Sequence, residues 1–246
     1  MKTPPRRLVL ATHNDHKVRE LRAILEAAGA LGPLEVVGAG DLGVPAPKED
    51  GLTFAENALI KARNAAEATG LPAVADDSGL CVPAMGGAPG VFSARWAGGH
   101  GDDAANLALL LDQLRDVPDA GRAAWFECAA ALVAPASGDQ LVGLDLGAPA
   151  EAPAWPDGGA ARVVAAGLTG RPAVKLRRGE VVVTGRMPGR LTRAPRGAGG
   201  FGYDPILIPD GFEATAAELT PEQKNAISHR GKAFRSLAPA IRQLWS

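Results

Sequence analysis

Short apolar runs of strand length and segments with helical apolar spacing are interleaved along one chain of 246 residues, and that interleaving sets the fold class. Leu8-Val9-Leu10-Ala11 reads as a buried first strand. The polar turn from Thr12 to His16 leads into a helix that places Val18, Leu21, Ile24 and Leu25 on one side, with Gly29 as C-cap. Glu35-Val36-Val37 reads as a second strand. Thr53-Phe54-Ala55-Glu56 matches a capping box and opens an Ala-rich helix. This helix should bury Phe54, Ala58, Leu59, Ala62 and Ala66 and stop at Gly70 and Pro72. Ala73-Val74-Ala75 follows as a short strand running into Asp76-Asp77-Ser78-Gly79. Residues 102–115 suit a helix, and 124–133, 181–183 and 206–208 suit strands. Thr220-Pro221-Glu222-Gln223 is a second capping box with proline at N1, and Ser228 caps a last helix over 229–244. Pro239 should end or kink that helix. Regular βαβ alternation is missing, so the expected fold is α/β: a mixed, twisted sheet with flanking helices.

Residues 134–180 break the pattern, being rich in Ala, Gly and Pro with weak periodicity. So long a structureless loop is unusual in a compact domain, so a β-rich insertion or flap is expected within a single domain spanning 1–246. Leu141-Val142, Val163-Val164 and Ala173-Val174 would be its short strands.

Composition removes several function classes. A net charge of −1 gives no global basic surface for nucleic acid or anionic membrane, so phosphate contacts should be local. The two cysteines, Cys81 and Cys128, stand alone in apolar sequence and fit a reducing cytosol rather than a disulfide scaffold or Cys-rich zinc site. No apolar run reaches the roughly 20 residues that cross a bilayer. A soluble cytoplasmic protein with no nucleic-acid and no membrane partner is expected. His100 reads as solvated, and Trp125 and Trp245 as core or edge packing.

Gly197 to Gly202 spells GxGxxG, but Pro195 and Pro205 flank it and no helix can open there, so the match is a decoy. Four constellations remain. Thr12-His13-Asn14-Asp15-His16-Lys17, between strand and helix, offers backbone N–H groups and a lysine to an anion, or is a polar turn capped by Asn14. Asp76-Asp77 follows a buried strand. Adjacent carboxylates on extended chain point to opposite sides, so one can face a cleft while the other braces the backbone. Carboxylates there suit Mg²⁺; an Asx-turn is the plain alternative. Gly200-Phe201-Gly202-Tyr203-Asp204-Pro205 offers a ring to a flat ligand, or is a tight turn with core aromatics. Lys224 to Arg230 gathers three potential cations near two helix starts, for phosphate or a purine carbonyl, or for a solvated face.

In this order, these blocks resemble the Ham1 family of inosine/xanthosine triphosphate pyrophosphatases. The resemblance also runs through Gly51-Leu52-Thr53-Phe54-Ala55-Glu56-Asn57-Ala58 with Lys61-Ala62, and through Gly87 to Arg95. It implies hydrolysis of ITP, dITP and XTP to the monophosphate and pyrophosphate, cleansing the nucleotide pool. It also implies Mg²⁺, a homodimer and an elongated two-lobed architecture with a central cleft. By position, Thr12, His13, Asn14, Asp15, His16 and Lys17 would hold the triphosphate, and Ser78 would contact substrate. Asp77 would ligate the metal and act as general base. Phe201, Gly202, Tyr203 and Asp204 would stack and position the base, and Lys224, His229 and Arg230 would grip its edge and the phosphates. Glu49 would be the second metal ligand. Lys48 stands where the family often has a glutamate, which leaves Asp50 and Glu56 as alternatives. A pyrophosphatase on a related Maf-like scaffold, acting on pyrimidine or modified nucleotides, and a non-catalytic nucleotide sensor are the competing readings.

Overall fold

The structure is a computed structural model that describes residues 6–12, 15–27, 29, 34–99, 101–135, 176–177 and 179–245; at 15–17 and 20 it describes the backbone. His100 and the strands expected within 136–175 lie outside the described residues.

Strand β1 (Arg6–Leu10) is followed by helix α1 (Asp15–Ala27), β2 (Leu34–Gly38), α2 (Phe54–Thr69) and β3 (Ala73–Cys81). Next come α3 (Asp103–Gln113), β4 (Ala123–Val133), β5 (Glu180–Leu191), β6 (Leu207–Pro209), α4 (Pro221–Ile227) and α5 (His229–Gln243). The strands form one mixed sheet in the order β2-β1-β3-β4-β5-β6. β1 runs parallel to both β2 and β3, while β5 and β6 are antiparallel. Among the described residues helices alternate with strands from β1 to β4 and two more follow β6, as expected of an α/β protein.

Two compact units divide the chain: Met1–Asp77, Ala129–Thr184 and Lys232–Ser246 form the first, and Ser78–Cys128 and Gly185–Gly231 the second. In the first unit β1 is apolar on both sides, and Leu8, Val9 and Leu10 are buried with Ala58, Leu59 and Ala62 of α2. The core of the second gathers Leu80, Leu110, Phe126, Met187, Ile206 and Leu207. Arg122, also buried there, donates to the carbonyls of Leu114, Leu191 and Thr192, satisfying groups that helix and strand ends would otherwise leave open.

Local expectations are met only in part in three places. Thr53 Oγ1 accepts from the Glu56 amide at 3.2 Å, but the Glu56 carboxylate reaches back one residue further, to the Leu52 amide at 2.6 Å. The box is therefore half of the expected one, whereas at Thr220 and Gln223 both halves form. The strand starting at Ala73 does not stop before the acidic pair; β3 continues through Asp76-Asp77-Ser78-Gly79 to Cys81. Gly79 makes this possible, because a Cβ there would collide with Ser93 Oγ and the Gly90 carbonyl. Pro239 does not end α5, which runs on to Gln243. Proline removes one backbone donor, and the apolar side chains Leu237, Ala238, Ala240 and Ile241 are buried on either side of it.

Cys81 and Cys128 are buried and free. Burial, with Glu127 adding to it, pushes the Cys81 thiol up to about 12. At pH about 8 iodoacetamide should therefore leave Cys81 unmodified in the native protein and modify it after denaturation, as read by mass spectrometry.

Candidate active site

The first unit places its polar groups where parallel strands diverge. β1 lies between β2 and β3: the connection through α1 runs from β1 to β2 on one side, and the connection through α2 returns from β2 past β1 to β3 on the other. Ligands bind beyond the carboxyl ends of strands at such a switch point. The register pairs Leu10 with Val74, and Ala11 N donates to Val74 O at 2.8 Å. Thr12 follows the end of β1, and Asp76 lies alongside within β3, two residues beyond Val74. A cavity of about 150 Å³ opens there, lined among others by Thr12, Pro45, Glu49, Lys61, Asn64 and Asp76.

Helix α2 presents three polar side chains to this region at helical spacing, Asn57, Lys61 and Asn64, on an otherwise Ala-rich surface. Asn57 is buried and bridges two segments: its Nδ2 donates to Asp77 Oδ2 at 3.1 Å, and its Oδ1 accepts from Gly51 N at 2.9 Å. Lys61 Nζ donates to Asp77 Oδ1 and to Glu49 Oε2, both at 3.2 Å. Asn64 Nδ2 donates to the Pro45 carbonyl at 2.9 Å, which ties down the segment leading to Glu49. Two carboxylates thus converge on one ammonium, and Asp76 lies within electrostatic reach of it.

Titration behaviour follows from this geometry. Burial alone would lower the Lys61 ammonium, but Asp77, Asp76 and Glu49 together outweigh it and hold it above its ordinary value. Burial raises the Asp77 carboxyl, and Glu49 adds to the rise, against the opposing pull of Lys61 and the Asn57 amide.

Among the three acidic candidates, Glu49 shares the Lys61 ammonium with Asp77. Asp50 pairs with Lys48 at 3.6 Å in solvent, and Glu56 serves the start of α2. Of the acidic pair it is Asp76, 5 % exposed, that lines the cavity, while both Asp77 oxygens are engaged by α2. Among the described residues no group of three or more His, Cys, Asp or Glu forms a metal cage. His13 and Asn14 lie outside the described residues, as do the side chains of Asp15, His16 and Lys17; the backbone of α1 begins at Asp15, just beyond β1.

The second unit holds the aromatic block and the basic block together. Phe201 is 62 % exposed, its ring presented to solvent. Lys224 Nζ sits 5.2 Å from that ring's centroid and 2.5 Å from Asp204 Oδ2. Asp204 is buried, and the same oxygen accepts from the Phe201 amide at 2.8 Å. The GxGxxG letters form bends and a turn, followed by a single 3-10 turn over Asp204–Ile206 and not by an α-helix; a Cβ at Gly200 would collide with Asp204 Oδ2, so glycine there serves the loop. Tyr203 is in the core, its hydroxyl donating to the Ser93 carbonyl at 2.9 Å. The His229 ring stacks on Phe126 at 5.0 Å, and Arg230 is buried. Ser78 is half-buried in β3, directly after Asp77.

Asn57, Lys61 and Asn64 carry no role in the reading of the sequence. Their signal was present as polar residues at i, i+4 and i+7 within an alanine-rich helix.

The model of the Ham1 family matches residues 8–144 and 156–240. The chain belongs to the Ham1 family. Of the 134–180 stretch in this Ham1 chain, the family model leaves only residues 145–155 unmatched. The dITP/XTP pyrophosphatase of Streptomyces coelicolor is 53% identical, with 97% of this chain and 98% of that protein covered. That of Bifidobacterium animalis subsp. lactis is 52% identical, covering 96% and 97%. Among solved structures, a HAM1 protein from Coxiella burnetii aligns with a TM-score of 0.72 at 35% identity, over 96% of this chain and 98% of that one. The nucleoside-triphosphatase / dITP/XTP pyrophosphatase of Mycobacterium abscessus gives a TM-score of 0.63 at 43% identity, over 94% and 98%.

Proposed function

We propose that this chain hydrolyses non-standard purine nucleoside triphosphates, dITP, XTP and ITP, to the monophosphate and pyrophosphate. The observation that carries this reading is the convergence of Glu49 and Asp77 on Lys61 beside a cavity at the strand switch point. The names of its close relatives support it.

In the first unit, Asp77 is the base that takes a proton from the attacking water. A carboxylate in that role must be oriented, and Asn57 and Lys61 hold one oxygen each. Asp77 and Glu49 would hold Mg²⁺; their oxygens already share one cation, and an all-oxygen donor set suits a hard metal. When bound, the metal supplies charge neutralisation and polarisation of the phosphates. The start of α1, with Thr12 before it and Lys17 in its first turn, would bind phosphate oxygens.

In the second unit, Phe201 stacks on the purine. Lys224, beside that ring, donates to the C6 carbonyl; the 6-amino group of ATP would meet it donor to donor. Arg230 and His229, set deeper, shape the same subsite, and Asp204 holds Lys224 in place. A homodimer, dependence on Mg²⁺ and a cytosolic location belong to the same reading. The net charge of −1 gives no support to nucleic acid as partner, and no helix among the described residues is long and apolar enough to cross a membrane.

The test is product analysis across ITP, XTP, dITP, ATP, GTP, dTTP and UTP, with and without Mg²⁺. Pyrophosphate from ITP, dITP and XTP is expected, with ATP and GTP poor. An unpaired donor costs roughly 1–3 kcal/mol, so ATP should fall roughly 5- to 150-fold behind ITP. Stepwise orthophosphate release would overturn the reaction type. A preference for dTTP or UTP would move the chain to Maf-like chemistry.

A further inference from the structure

The loop that carries the exposed Phe201 ring is rich in glycine, and glycine gives a backbone no preference of its own. Its order therefore depends on what holds it, and three successive residues each donate one hydrogen bond to a side chain or carbonyl that anchors the loop. The Phe201 amide donates to Asp204, which is buried and local. The Tyr203 hydroxyl donates to the Ser93 carbonyl within the core. Between them, the amide of Gly202, which has φ +58°, donates to Asp103 Oδ2 at 2.8 Å. That partner comes from the first turn of α3, 99 positions earlier, and its side chain is exposed. The start of α3 does not need it: Asp102 is the N-cap, and its carboxylate accepts from Ala105 N at 2.9 Å.

We propose that Asp103 is a positioning residue for base recognition, fixing the Gly202 peptide and through it the seat of the Phe201 ring. The proposal rests on Phe201 being the stacking platform of the function proposed above. Without the Asp103 carboxylate, the peptide at Gly202 is free to turn, because glycine accepts either sign of φ. The ring then samples several seats, and a purine must order it on binding. Affinity for the base falls, while the chemistry at Asp77 in the bound complex is unchanged.

The experiment compares Asp103→Ala and Asp103→Asn in the full chain. The alanine variant should raise KM for ITP about tenfold, the scale of one hydrogen bond to a charged group, with kcat unchanged. Inhibition by inorganic tripolyphosphate, which has no base, should not move. Asparagine keeps an acceptor at the same place and should recover most of the loss. The amide of Gly202, followed by hydrogen exchange without ligand, should exchange faster in the alanine variant. An unchanged KM overturns the proposal, as does a parallel shift of KM and tripolyphosphate inhibition, or an asparagine variant no better than alanine. Wild-type protein inactive on every purine triphosphate would instead overturn the function proposed above. Exchange at Gly202 still reads the loop in that event, and its failure to change in the alanine variant would remove the anchor itself.

Discussion

Asp77→Asn is expected to lower turnover of ITP by about 10³-fold or more while the protein stays folded. Loss of a general base alone is worth about 10²–10⁴-fold, and loss of a metal ligand adds to it. The fold should tolerate the change for a physical reason. Burial holds the Asp77 carboxyl above its ordinary value, so its charge at neutral pH opposes folding, and the neutral amide removes that charge. The amide oxygen can still accept from Asn57, and Lys61 keeps Glu49 and the nearby Asp76. Activity and stability should therefore part company, with kcat collapsing and the melting temperature holding or rising. Asp76→Asn is the necessary comparison, since Asp76 lines the cavity more directly. If Asp76→Asn were inactive and Asp77→Asn near normal, the base would be Asp76, and Asp77 a brace for α2.

Lys61→Met should produce the second large effect, this time on stability. The ammonium neutralises Glu49 and Asp77, and at 14 % side-chain exposure it is well shielded from water. Removing one member of a buried ion pair leaves an uncompensated charge, and with carboxylates 16 % and 36 % exposed the loss should be about 2 kcal/mol. Millimolar MgCl₂ should restore much of it, because the divalent ion binds the folded state through the same oxygens without an ammonium competing for them. Thermal melts of wild type and variant, each with and without MgCl₂, measure this directly. A variant that Mg²⁺ stabilises no more than wild type would show that Glu49 and Asp77 are not where the metal binds.

Much of the architecture was written in local pattern. β1, α1 and α2 declare themselves by apolar period and by Thr53, Gly29 and Gly70 at their ends, and Thr220-Pro221-Glu222-Gln223 marks the start of α4 through chemistry confined to four residues. The failures involve partners distant in sequence. Nothing local says that β3 passes through two carboxylates and a glycine; the reason lies in Ser93 and Gly90, which leave no room for a side chain at Gly79. Ordered motif blocks brought Asp77 and Lys224 forward, yet the lysine that joins Asp77 to Glu49 sat among the matching letters without a role. The deciding geometry, a shared Nζ across three segments, exists only after folding. Tyr203 looked like a second ring for a ligand, and its burial follows from a carbonyl 110 positions away.

That burial has a practical consequence, because Tyr203 is the only tyrosine in the chain. Its neighbour Phe201 is the exposed ring, and burial, with Asp103 adding to it, lifts the phenol well above the usual tyrosine range. Every tyrosine signal from this protein therefore reports on one loop. A fluorinated tyrosine would give a single resonance, two residues along the backbone from the exposed Phe201 ring, with no mutation and no assignment to make. Alkaline difference absorbance would register ionisation only when the hydroxyl leaves Ser93. The protein carries its own spectroscopic probe at the place where a purine would first be felt.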